Sequence, residues 1–120
     1  MENRHLKDYE WIINSDIPWK HLAKQVTESK VALITTAGIY NWKTQKHFNL
    51  ADDNGDCSFR EIKKTNTQEE TRVSCREIDL NGSVALDYNC IFPLDRLTEM
   101  EREKRISSAS ELHFSVMGEI

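Results

Sequence analysis

Val31-Ala-Leu-Ile34 is an unbroken apolar run with β-branched residues in it. Such a run predicts a strand covered on both faces, as in a parallel sheet flanked by helices. Thr35 and Thr36 extend it, and Gly38 allows the chain to turn there or lets a ligand approach the backbone. Upstream, Trp19, Leu22, Ala23 and Val26 recur at i, i+3, i+4 and i+7 behind Asp16-Ile17-Pro18. That spacing predicts a helix capped by Asp16, with Trp19 as a core anchor. Downstream, Cys57–Ile62 reads as a short extended piece, and Arg72 opens a strand-like stretch that ends at an Asn81-Gly82 turn. Asp87–Phe92 is a further short apolar-leaning piece. Pro93 then opens a helix with Leu94, Leu97 and Met100 on one face, broken at Ser107-Ser108. Leu112, Phe114 and Val116 alternate with His113, Ser115 and Met117, a period of two that marks a last strand.

Helical and extended pieces interleave, so the expected class is α/β: one small domain with a mixed or mostly parallel sheet flanked by helices. Residues 1–17 form an N-terminal arm or short helix, and 18–120 form the domain. A chain of 120 residues supports one core and not two.

The net charge of −4, with acidic residues spread along the chain, argues against nucleic acid as a partner. No segment reaches the ~18 apolar residues of a membrane helix. The three cysteines form no CxxC pair and no zinc pattern, and the first residues lack the apolar core of a signal peptide. A cytoplasmic protein with reduced thiols is the expectation. Asp52-Asp53-Asn54-Gly55-Asp56 approximates a calcium loop, but its first ligand position falls on Leu50, so a polar turn is the reading. No metal site is expected, since His113, Cys75 and Asp79 share no local ligand spacing. No residue pattern points to a cofactor.

In open α/β sheets ligands sit beyond the carboxyl ends of strands. Thr35, Thr36 and Gly38 are therefore candidate pocket residues. Arg60 and Arg96 each have the fork that binds a carboxylate, and His113 shares a strand face with Ser115. Any of the cysteines is a nucleophile only where its surroundings favour thiolate.

Three segments, in order, carry a resemblance: Val31–Tyr40 with Trp19 and Asp56–Ile62; Asp87–Leu97; and His113–Gly118. Together they resemble the selenoprotein B subunits of the bacterial glycine, sarcosine, betaine and D-proline reductases, across about residues 18 to 120. The resemblance implies a cytoplasmic oxidoreductase subunit, reductive carbon–nitrogen cleavage in a small amino acid, and a partner subunit. It implies that Thr35, Thr36, Gly38, Ser58, Arg60, Asp87, Asn89 and Asp95 line or support the pocket. The family's selenocysteine lies beyond the segment matching Met117-Gly118. Where the family has His-x-His-Tyr-Asp, this chain has Cys75-Arg76-Glu77-Ile78-Asp79. Cys75 or a partner chain is thus expected to supply the redox group, with a small polar, amino-acid-like molecule as ligand. The alternative expectation is a binding or assembly module without catalysis, homodimeric through an unpaired edge of Leu112–Met117.

Overall fold

A computed structural model describes residue 13, residues 15, 16 and 18–51, residues 56–74, and residues 87–117. Among the described residues, seven short strands and one α-helix make a mixed α/β domain. The strands are β1 (Lys30–Val31), β2 (Ile34–Thr35), β3 (Ile39–Asn41), β4 (Phe59–Lys63), β5 (Thr71–Val73), β6 (Ser108–Ala109) and β7 (Leu112–Val116). The helix, α1, is Leu94–Arg102. The class agrees with the sequence reading, and β1 and β2 run parallel to β6 and β7 respectively. No helix among the described residues is long and apolar enough to cross a membrane.

The central apolar run is not one continuous strand. Val31 pairs with Ala109, and Ile34 pairs with Phe114. The second side therefore carries two extra residues between the two ladders. The break is bridged locally: Ser110 N–H donates to Val31 O at 2.8 Å, and Phe114 N–H donates to Leu33 O at 2.9 Å. Nor is the run covered on both faces, since Ile34 is 74% exposed. Among the described residues no second helix covers the other side, and alternate residues of the short strand face outward.

β7 lies between β2, which is parallel to it, and β4, which is antiparallel. It is therefore paired on both sides, and the expected unpaired edge of Leu112–Met117 does not exist. Its alternation is also inverted. His113, Ser115 and Met117 are buried, whereas Leu112, Phe114 and Val116 are half-buried on the opposite face. The reason is hydrogen bonding. Ile39 N–H donates to Ser115 Oγ at 2.7 Å and Leu33 N–H donates to His113 Nδ1 at 3.0 Å. Both polar side chains supply acceptors where the neighbouring backbone has left its ladder.

Gly38, at φ 63°, turns the chain from β2 into β3. Its N–H donates to Val116 O and its carbonyl accepts Ser74 N–H, both at 2.9 Å. β3 pairs antiparallel with β5. Ala37, Ile39, Ile62, Tyr88, Phe92 and Leu94 form the main core cluster, and Leu97, Ile106 and Ala109 form a second under α1.

The helix foreseen after Pro93 is present, with Leu94 and Leu97 buried. The helix foreseen from Trp19 to Val26 is not. Trp19 and Leu22 are exposed and only Val26–Glu28 forms a single 3-10 turn. A short amphipathic segment holds helical form when its apolar stripe has something to pack on, and no described element covers this one. The apolar-leaning Asp87–Phe92 piece holds the 3-10 turn Tyr88–Cys90. The N-terminal arm apart from Ile13, Ser15 and Asp16, the Asp52–Gly55 turn, Cys75 with Asp79, and the Asn81-Gly82 turn lie outside the described residues.

Candidate functional site

The register sets Thr35, Ser115 and Arg60 in one row across β2, β7 and β4. Thr35 and Arg60 stand on either side of the central strand, roughly 10 Å apart by strand spacing. Thr35 Oγ1 donates to Ile91 O at 3.0 Å and accepts Ala37 N–H at 3.2 Å. It ties the end of β2 to the turn before α1. Thr36 is exposed, Gly38 is buried at the chain reversal, and His113 is wholly buried against Phe92.

Asp87 and Asn89 form a separate group at the start of α1. Asp87 Oδ1 accepts both Asn89 N–H and Asn89 Nδ2 at 2.9 Å. Asn89 Oδ1 accepts Asp95 N–H at 3.1 Å, and Asn89 Nδ2 donates to Asp95 Oδ2 at 3.0 Å. These bonds satisfy amide donors that a helix N-terminus leaves open. Arg96 pairs with Glu99 on the exposed helix face.

Arg60 is the hub of a different region. Its guanidinium lies 4.1 Å above the Phe48 ring. Nε donates to Lys46 O at 2.9 Å, and one terminal nitrogen donates to Ser58 Oγ at 2.7 Å and to Phe59 O at 3.0 Å. The other donates to His47 O at 3.2 Å and stands 3.8 Å from Asp56 Oδ2. The fork thus fastens the 46–48 segment to β4. Asp56 is held by the Ser58 hydroxyl, by Asn49 N–H at 2.8 Å and by Ser58 N–H at 2.9 Å. The Ser58 hydroxyl first, then those amides, then Arg60 bring its pKa down to about 2, so it is a carboxylate at neutral pH.

Against this hub opens a cleft of about 540 Å³, lined by Tyr40, Trp42, Lys46, His47, Asp56 and Arg60 among others. Its walls are aromatic, and its polar groups include a fixed carboxylate and a lysine. A hollow of this size and mixed character suits a small molecule. A second, of about 470 Å³, lies across the Gln45 turn between Asn41, Asn66, Glu61 and Lys63. Of the expected pocket residues, the structure brings Arg60 to the cleft, with Ser58 bonded behind it. Thr35, Gly38 and His113 belong to the core side of the sheet, and Asp87 and Asn89 belong to the helix cap. Tyr40, Trp42, Lys46, His47 and Asp56 were not picked out from the sequence. The one local signal was Asp56-x-Ser58 next to Arg60, a pattern in which an Asp side chain caps the amide two residues on.

Cys57 and Cys90 are free and exposed. Among the described residues no group of three His, Cys, Asp or Glu side chains is placed to hold a metal ion.

Fold and cleft together define a small mixed α/β domain with a ligand-sized surface site. Over 100 residues, 83% of the chain, the sequence is 36% identical to D-proline reductase subunit gamma of Acetoanaerobium sticklandii. The chain is a relative in that reductase family, in line with the resemblance read from the sequence, and it spans 39% of the length of that subunit. No family model matches the chain. No solved structure matches it either.

Proposed function

We propose that this chain is a cytoplasmic component of a bacterial amino-acid reductase, binding a small amino-acid-like molecule in the Arg60 cleft and working with a partner subunit. The carrying observation is the 36% identity to a D-proline reductase subunit, which extends over most of this chain. The cleft suits such a ligand. The Asp56 carboxylate attracts an ammonium or iminium nitrogen, Lys46 attracts a carboxylate, and Tyr40 and Trp42 cover the hydrocarbon part. Thr35, Thr36, Gly38, Ser58, Asp87, Asn89 and His113 act in this reading as supports that fix the two ends of the sheet. Cys75, or a thiol or selenol of the partner, supplies the reducing nucleophile in its deprotonated form.

The test is a titration of the purified chain with D-proline, glycine, sarcosine and betaine, followed by Trp fluorescence and calorimetry. Saturable binding of at least one, weakened by Lys46→Ala, is expected. Absence of saturation for all four at millimolar concentration overturns the ligand assignment. Cys75→Ser, assayed with a dithiol donor and the partner subunits present, separates a nucleophilic Cys75 from an inert one.

A second reading is an assembly module without chemistry. It is favoured by Arg60, whose nitrogens are all engaged within the chain and leave no fork for a substrate carboxylate. Unchanged turnover of the reductase complex on Lys46→Ala, together with loss of complex when the chain is omitted, would select it.

A further inference from the structure

Two polar residues of the cleft, His47 and Asp56, are held in ways that leave each with an open acceptor. His47 Nδ1 lies 2.7 Å from Phe48 O. A carbonyl oxygen only accepts, so Nδ1 carries a hydrogen and donates it. In the neutral ring the lone pair is then on Nε2. The backbone that carries the ring is fixed as well. His47 O accepts from Arg60 at 3.2 Å, Phe48 N–H donates to Ser74 Oγ at 3.3 Å, and the Phe48 ring is wholly buried under the Arg60 guanidinium. The ring nitrogen of His47 left for a ligand is therefore an acceptor.

Asp56 supplies the second acceptor. Among the described residues its Oδ1 takes Ser58 N–H at 2.9 Å and the Ser58 hydroxyl, while Oδ2 takes Asn49 N–H at 2.8 Å. An ionised carboxylate has about four lone-pair sites, so one on Oδ2 remains for a ligand. The His47 carbonyl and Asp56 Oδ2 lie 3.2 and 3.8 Å from the same Arg60 nitrogen, so the two residues meet at one end of the cleft. Arg60 offsets the carboxylate charge at that end, and its own donors are engaged within the chain. What this end of the cleft asks of a ligand is N–H donors, more than positive charge.

We propose that His47 Nε2 and Asp56 Oδ2 select the ligand by the N–H groups on its amine. A nitrogen with two N–H bonds satisfies both acceptors, and a fully alkylated ammonium satisfies neither. This deepens the reading of the cleft as an amino-acid site and rests on it. A site built to hydrogen-bond its ligand rejects an analogue without the donors far more strongly than an apolar wall rejects a change in bulk.

Calorimetric titration of the full chain at about pH 8, above the ordinary imidazole range, tests it with two ligand series. Sarcosine, N,N-dimethylglycine and betaine carry two, one and no N–H on the cationic nitrogen; D-proline, N-methyl-D-proline and N,N-dimethyl-D-proline do likewise. Affinity is expected to fall by about tenfold at each step in the series that binds. His47→Asn keeps an amide nitrogen in the place of Nδ1 and removes Nε2. It is expected to keep the thermal midpoint, to weaken the ligand with two N–H bonds about tenfold, and to leave the ligand with one unchanged, since that donor goes to the carboxylate. His47→Gln returns an amide oxygen near the Nε2 position and should recover part of the loss. Equal affinities along a series that binds overturn the proposal and leave the ligand reading standing. So does a His47→Asn chain that discriminates as steeply as the wild type. Saturation by none of the six compounds overturns the ligand reading, and the proposal with it.

Discussion

His113 shows how one side chain couples folding to pH. Its ring is wholly buried, Nδ1 accepts Leu33 N–H, and Nε2 has no partner among the described residues. Burial first, and Lys64 second, hold its pKa below the ordinary imidazole value, with Glu111 pulling the other way. The folded state therefore binds fewer protons than the unfolded chain. This part of the stability is present above the unfolded value of about 6.5 and is lost as pH falls below it. Urea titrations at about pH 7.5 and 5.5 should show the midpoint falling on acidification. His113→Leu should cost about 1–3 kcal/mol at the higher pH, because Leu33 N–H is left without an acceptor, and should flatten the acid-side decline. Arg60 calls for a different measurement. Arg60→Ala releases the 46–48 segment and the Phe48 stack, with an expected loss of about 2 kcal/mol or more by denaturant titration. Arg60→Lys should recover little of it, since a single ammonium cannot reproduce the forked bonds. From sequence, Arg60 looked like a free carboxylate binder. Only the folded position of the Lys46 and His47 carbonyls shows where its donors go.

At the scale of elements, α1 was legible and the first helix was not. Leu94, Leu97 and Met100 meet Ile106, Ala109 and neighbouring core residues, so their spacing reports real burial. Trp19, Leu22 and Val26 also recur at helical spacing and are exposed. Periodicity records the capacity to bury a stripe, and a partner surface decides whether it is used. The end of α1 carries a separate prediction. Lys104 sits at φ 59°, Arg105 N–H donates to Met100 O at 2.8 Å, and Lys104 N–H donates to Glu101 O at 3.0 Å. This is a Schellman ending with a lysine where glycine fits best. Lys104→Gly should therefore stabilise the chain by about 1 kcal/mol, read as a raised thermal midpoint.

For the whole molecule, the central pairings join distant parts of the chain. Lys30 pairs with Ser108 and Thr35 with Ser115, so long loops must close before the sheet repays their entropy. Stopped-flow refolding should accordingly fall in the range of milliseconds to seconds, slower than a helical bundle of similar length. A microsecond folding phase carrying the full amplitude would contradict this topology as the rate-limiting feature.

The sequence alone determined the α/β class, the helix after Pro93, the strand at Leu112–Val116 and kinship with the amino-acid reductases, because these are written in local periodicity, turn residues and ordered short segments. Which face of that last strand is buried was decided only in three dimensions. Two backbone amides, of Leu33 and Ile39, needed acceptors inside the core, and His113 and Ser115 were in place to supply them. Hydrogen-bond demand from chain segments some eighty residues away outweighed the hydropathy of the strand itself. The same inversion put Leu112, Phe114 and Val116, half-buried, on the opposite face of the sheet.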